Sequence, residues 1–410
     1  MSRTRGLSAA VVALAGLLSV VCPANAQPPT PSGDSSVDRG QYLATVGNCA
    51  GCHTAPGGQP MAGGLHLDSP YGTFITPNIT PDADHGIGRW SDDDFWRAMH
   101  EGRRPDGSAM YPACPYTSYT HVERADIDAL HAYLGQIPPA ANDTPDHRLD
   151  WPYRYRSLLT VWQWLYFEPG GLADKPQQSP AWNRGRYLVE GLGHCNECHR
   201  ARGRFGTLQS ADDAPGAMIH GWYAPPLADP AQAGLQQWSI KDAAAFLKRG
   251  KADHAAMMGP MADVVFDSLQ YWSDEDALAA ATYLKSLPAR DVESPVRLIR
   301  LSRDGQRAAM DQGRTLYGKH CADCHGDNGQ GGDGAPALAG NRAVTLADPI
   351  NVANMIRGGG FAPATEGNPQ PYGMPPFHGF SDRELAALIS YIRGSWGNQA
   401  SPVTGTNLRR

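Results

Sequence analysis

Three copies of one pentapeptide constrain this 410-residue chain more than anything else in it: Cys49-Ala50-Gly51-Cys52-His53, Cys195-Asn196-Glu197-Cys198-His199 and Cys321-Ala322-Asp323-Cys324-His325. Two thiols three positions apart, followed at once by an imidazole, read as a covalent attachment site for c-type haem. The thiols add across the porphyrin vinyl groups, and the histidine on the same short turn reaches the iron as proximal ligand. A structural zinc site would want paired ligand clusters close together. A thioredoxin-like redox pair would want a βαβ setting and no fixed histidine. The reading is therefore three haem c groups, with Cys49, Cys52, Cys195, Cys198, Cys321 and Cys324 as attachment cysteines and His53, His199 and His325 as axial ligands.

Of eight cysteines, these motifs consume six and leave Cys22 and Cys114. Cys22 falls in residues 1–26, which have the pattern of a secretory signal. Arg3 and Arg5 form its basic start, Leu7 to Val21 its apolar core, and Ala24-Asn25-Ala26 a small-x-small cleavage site. Retention of the segment as an anchor and lipidation of Cys22 are the alternatives, and the bulky Val21 disfavours the second. Without Arg3 and Arg5 the chain has 33 Lys and Arg against 41 Asp and Glu, a net charge of −8, which argues against nucleic acid as a partner. No later run reaches the ~18 apolar residues of a membrane span. Export fits the haem reading, because c-type haem is attached outside the bacterial cytoplasm.

Around the motifs runs a threefold repeat. Each copy opens with a helix-like segment containing a glycine: Arg39-Gly40-Gln41-Tyr42-Leu43, Arg184-Gly185-Arg186-Tyr187-Leu188 and Gln312-Gly313-Arg314-Thr315-Leu316-Tyr317. Each closes with apolar residues at helical spacing, over 126–134, 276–284 and 384–392. Ser273 with Asp276, and Ser381 with Glu384, read as capping boxes. An opening helix that leads into the motif and a closing helix that crosses it is the class I cytochrome c arrangement. The expected fold is all-α: three tandem class I cytochrome c domains over 36–138, 181–288 and 307–400, joined by loop-rich linkers. The linker 139–180 is aromatic-rich, with Trp151, Tyr153, Tyr155, Trp162, Trp164 and Tyr166. Its plainer reading is packing between the first two haem domains; the sharper is a surface for a partner subunit or a membrane interface. The second linker, 289–306, reads as a strap.

The sixth position on each iron sets its work, and methionine there favours electron transfer. In the second repeat Met257, Met258 and Met261 precede the closing helix, and Gly259-Pro260 points to Met261. In the third, Tyr372-Gly373-Met374-Pro375-Pro376 holds Met374 in a proline-fixed loop. The first repeat offers Met110 and Cys114, with His121 slightly beyond.

Further stretches carry a family resemblance. They include Tyr71-Gly72-Thr73, Asn78-Ile79-Thr80-Pro81-Asp82, Trp90-Ser91, Tyr111-Pro112-Ala113, Trp182-Asn183-Arg184-Gly185, Gly259-Pro260-Met261-Ala262 and Ser395-Trp396-Gly397-Asn398. From about residue 36 to about 404 the chain resembles the trihaem cytochrome c subunit of bacterial membrane-bound periplasmic dehydrogenases, those of gluconate, sorbitol, fructose and alcohol. The resemblance implies Met261 and Met374 as axial ligands. It also implies a first ligand at the methionine of a Tyr-Pro-Ala-Met-Pro-Tyr loop, a position that holds Cys114 here, with Met110 as the alternative. It further implies a catalytic subunit of flavin, PQQ or molybdenum type, a small accessory subunit, ubiquinone as acceptor, and a place on the periplasmic face of the cytoplasmic membrane. The short stretch after Asn398 leans toward the gluconate or sorbitol branch. On this reading the chain relays electrons and holds no substrate site of its own. The competing readings are a free periplasmic electron shuttle, and a multihaem peroxidase or reductase acting at the first haem with His100, His121 and Glu101. The glycine-rich run 329–334 follows a haem motif and joins no strand to a helix, so it does not read as a nucleotide site.

Overall fold

The structure is a computed structural model that describes residues 35–409 except 211–214, 292–297 and 333. The expected secretory segment, with Arg3, Arg5 and Cys22, lies outside the described residues.

In the first repeat, α1 (Ser36–Val46) starts where the Ser35 hydroxyl accepts from the Asp38 amide. The attachment turn α2 (Cys49–His53) follows. A hairpin of β1 (His66–Ser69) and β2 (Gly72–Ile75) comes next, then α3 (Asp92–Glu101), α4 (Tyr116–Tyr119) and the closing helix α5 (Arg124–Leu134). Within the expected aromatic linker, β3 (Arg148–Leu149) pairs antiparallel with β2, so the linker's start is built into the first repeat. It is followed by α6 (Ser157–Tyr166).

The second repeat opens with α7 (Pro180–Arg186), whose first position is a proline already at helical φ. It continues as a π-helical turn over Tyr187–Leu192. Then come the attachment turn α8 (Asn196–His199), the hairpins β4 (Ala217–Ile219) with β5 (Trp222–Ala224) and β6 (Lys251–Ala252) with β7 (Ala255–Ala256), α9 (Ile240–Arg249) between them, α10 (Pro260–Asp267) and α11 (Asp274–Ser286). The third repeat comprises α12 (Arg303–His320), α13 (Ala322–His325), α14 (Arg342–Thr345), α15 (Ile350–Gly358), the pair β8 (Gly360–Phe361) and β9 (Gly373–Met374), and α16 (Asp382–Gly394). Helix α12 begins inside the stretch 289–306 expected as a linker.

The fold is mostly helical, but it is not all-α as expected. The described residues hold nine strands of two to four residues in four small antiparallel sheets. Strands this short leave no readable alternation. They form because the chain must double back between each motif and its closing helix. Gly72, at φ 109°, allows one such return, since a Cβ there would lie 2.4 Å from the Arg148 carbonyl oxygen.

Opening and closing helices cross three times, α1 on α5, α7 on α11 and α12 on α16. Each crossing is made at the glycine. A Cβ on Gly40 would sit 1.9 Å from the Ala129 carbonyl oxygen, on Gly185 1.9 Å from that of Ala279, and on Gly313 2.2 Å from that of Ala387. The backbones approach as closely as they do because no side chain intervenes.

The first two repeats share one hydrophobic core, which joins Leu43, Ile127 and Leu130 to Leu188, Val265 and Leu284. Their contact is reciprocal. Arg39 pairs with Asp126 and Arg184 with Asp276, each within its own repeat. Tyr42 donates 2.7 Å to Asp276, and Tyr187 donates 2.7 Å to Asp126, each across to the other repeat. Each tyrosine oxygen also accepts from a backbone amide at the start of the opposite closing helix, that of Ser273 or Glu123. Asp276 therefore does not complete the expected capping box: the Ser273 hydroxyl still accepts from its amide, but its carboxylate is committed to Arg184 and Tyr42.

The third repeat has its own core around Tyr317, Leu385, Leu388 and Ile389, which also takes in Tyr223 of the second. Here the Asn351 amide exchanges two hydrogen bonds with the Tyr223 backbone, 2.7 and 2.8 Å, and Arg342 donates to the Gly234 carbonyl.

Candidate haem-attachment site

Each motif folds as one short helical turn at the end of an opening helix. In the first repeat α1 stops at Gly47, and Asn48 takes a left-handed conformation (φ 50°) before Cys49. In the second, His194 does the same (φ 39°) before Cys195. In the third, α12 runs straight to His320. The sequence distances from glycine to first cysteine, nine, ten and eight, have a structural counterpart. The π turn takes up the extra residue of the second repeat, and the absence of a left-handed linker residue accounts for the shorter third.

All three motif histidines are tied the same way. His53 Nδ1 lies 2.8 Å from the Pro77 carbonyl, His199 Nδ1 2.7 Å from that of Pro225, and His325 Nδ1 2.9 Å from that of Pro336. A carbonyl can only accept, so Nδ1 carries the proton and Nε2 keeps its lone pair for a metal. Burial holds each ring below the usual histidine range, against the opposing pull of the proline carbonyl. The motif cysteines point the same way. Burial pushes Cys49 and Cys195 up to about 12 and Cys198 and Cys321 up to about 11, so they are neutral thiols. Two thiols and an imidazole with a free Nε2 on one turn are the donor set that covalent haem needs, and the residues fit that group.

On the distal side, Cys114 packs against the shared core along with Cys49. Burial is the main cause that lifts its thiol to about 12. Met110 is half-buried, is absent from that core, and its amide is bonded to the Gly102 carbonyl. Cys114 thus packs on the core that Cys49 also touches, and Met110 does not. Met257 and Met261 both pack on the shared core, Met261 in the first turn of α10 after Pro260. Met374 packs on the third-repeat core from β9. His121 Nδ1 is bonded to the Gly170 carbonyl, and His100 stacks on Trp96.

The aromatic linker touches both of the first two repeats, as its plainer reading has it: Trp162 Nε1 donates 2.7 Å to the Phe205 carbonyl of the second repeat, and Tyr166 stacks on the Phe205 ring. Of α6 only Gln163 is buried, donating to the Gly102 carbonyl. Leu158, Val161, Leu165 and Tyr166 are exposed, and Trp164 is 81% exposed. The helix thus lies between Gly102 of the first repeat and Phe205 of the second, with its outer apolar side chains exposed. It carries no acidic or basic residue.

Sequence reasoning missed the residues that join the second attachment turn to the first repeat. The Glu197 carboxylate, inside the second motif, accepts from Thr117 and Ser118 of α4, both at 2.9 Å, and forms an ion pair with Arg202. It also missed the three proline carbonyls. They lie 24, 26 and 11 residues after their histidines, a spacing too irregular to serve as a signal.

Comparison with known proteins is consistent with this geometry. The sequence family described as Cytochrome c matches residues 37–138 and 310–396. The alcohol dehydrogenase (quinone) cytochrome c subunit of Gluconobacter oxydans is 40% identical over 389 residues, covering 90% of this chain and 80% of that one. The gluconate 2-dehydrogenase cytochrome c subunit of Pantoea cypripedii is 38% identical over 395 residues, 90% of this chain and 87% of that one. The fructose dehydrogenase cytochrome subunit of Gluconobacter japonicus is 33% identical over 422 residues, 94% of this chain and 85% of that one.

Proposed function

Because the chain belongs to the family of dehydrogenase cytochrome c subunits, we propose that it is the trihaem electron conduit of such a complex. Membership implies covalently bound haem c and electron transfer. The finer reading is that three tandem cytochrome c domains relay electrons from a periplasmic catalytic subunit to ubiquinone in the cytoplasmic membrane. The catalytic subunit is of flavin, PQQ or molybdenum type, and a small accessory subunit completes the complex. Haem iron, when bound, takes up and gives up one electron at a time.

The chain's own residues fix how that happens. Paired cysteines anchor each group at two points, and a proline carbonyl orients each histidine so that Nε2 faces the iron. Met261 and Met374 would hold the distal positions of the second and third haems and close them to substrates, and Cys114 would hold that of the first. Export through residues 1–26 puts the protein on the periplasmic face. Among the described residues no helix is long and apolar enough to cross a membrane. The bare, uncharged face of α6, with Trp164 and Tyr166, supports the membrane-surface part of the reading, since Trp and Tyr favour that interface.

The observation that carries the proposal is the threefold turn presenting two thiols and a free Nε2. Its test is reconstitution. The holo-chain, co-expressed with the catalytic subunit of a periplasmic dehydrogenase from the same organism, is expected to co-purify with that subunit and to support substrate-driven reduction of a ubiquinone analogue. A dehydrogenase that reduces the quinone equally well without this chain would overturn it.

A further inference from the structure

Haem attachment asks nothing of the two residues between the cysteines. The first repeat has Gly51 at the second of them, and the third has Asp323, which is exposed. The second has Glu197, only 9% exposed. Burying a carboxylate is costly unless it is paired and hydrogen-bonded, and Glu197 is both. One oxygen accepts from Thr117 Oγ1 and Ser118 Oγ at 2.9 Å each, and the other pairs with Arg202, whose guanidinium also donates to the Gly206 carbonyl.

The two hydroxyls belong to the first repeat, on the short helix that begins two residues after Cys114. The charge of Glu197 acts on Cys114, Tyr116 and Tyr119 of that repeat and on Cys198 of its own. His194 Nε2 lies 3.3 Å from the Gly47 carbonyl, so the residues that lead into the two attachment turns touch. Glu197 thus stands where the distal loop of the first haem meets the attachment turn of the second.

We propose that Glu197 is a positioning residue that clamps the Cys114 loop onto the second attachment turn and tunes the reduction potentials of the first two haems together. This rests on the trihaem reading. A ferric haem carries one more positive charge than a ferrous one, so a nearby carboxylate favours the ferric form and lowers the potential, while Arg202 opposes it. An interface pair of purely structural value would hold the repeats together without moving potentials.

The test is a spectroelectrochemical titration of the full holo-protein. Glu197→Gln keeps an acceptor for Thr117 and Ser118 but removes the charge. Two of the three potentials are expected to rise and the third to stay. Arg202→Gln leaves the carboxylate unopposed, and the same two are expected to fall. Removing the hydroxyls instead, with Thr117→Val and Ser118→Ala, keeps the charge and frees the loop, and is expected to change the visible and paramagnetic resonance spectrum of one haem. Potentials that do not move, or that move in the same direction in both charge variants, overturn the tuning role. An unchanged spectrum overturns the clamp. Haem content measured on the same samples separates the two readings: three haems with unmoved potentials sinks this inference alone, whereas a haem missing from the unmodified chain sinks the trihaem reading.

Discussion

Cys114 is the residue on which the three repeats differ most in chemistry. On the proposed reading its counterparts are the thioethers of Met261 and Met374, which are neutral and raise an iron's potential. A thiolate donates electron density and lowers it. Burial disfavours a free thiolate at this position, so ionisation there has to be balanced by the iron itself, as metal binding generally requires of cysteine. Replacing Cys114 with Met is expected to raise one of the three potentials and to remove a His/thiolate low-spin signature from the oxidised spectrum. If the unmodified protein already shows three His/Met potentials, the assignment of Cys114 is wrong. The six attachment cysteines and three histidines were legible in the sequence because their chemistry requires them within five consecutive positions. Glu197 was not, because the motif leaves its position free and its partners, Thr117 and Ser118, lie some eighty residues away.

At the scale of elements, the crossing glycines were visible as a repeat, and the structure supplies the reason for them. Gly185→Ala would place a methyl group 1.9 Å from the Ala279 carbonyl oxygen. The helices would have to separate, and overpacking of this kind costs about 1–3 kcal/mol. A clear drop in melting temperature is expected in holo-protein of unchanged haem content; a melt identical to the unmodified chain would contradict the close crossing. The spacing of nine, ten and eight residues could have signalled that the three junctions differ, but spacing alone does not say that a π turn absorbs the difference. The strands were not legible at all, because two to four residues carry no period. Helix α6 was legible as apolar but not as exposed, since periodicity finds a face without saying what covers it.

The whole molecule is less evenly divided than a sequence of three repeats suggests. The first two share a core and exchange tyrosines across it, Tyr42 to Asp276 and Tyr187 to Asp126. The third joins through the side chains of Asn351 and Arg342. Such pairings span from about sixty to more than two hundred residues of sequence, and no local pattern encodes them. This arrangement suits a conduit in which two haems act as one neighbouring pair and the third as a separate station. Relatives serving alcohol, gluconate and fructose dehydrogenases match at similar identity, as expected if the substrate is chosen by the partner. Everything in the account depends on all three turns carrying haem. The most direct measurement is the pyridine haemochrome content of the purified, exported chain, together with its intact mass after denaturation. The account predicts three haems per chain, all retained after acid-acetone extraction and each adding its mass to the polypeptide. A stoichiometry of two, or haem that extracts freely, would contradict it.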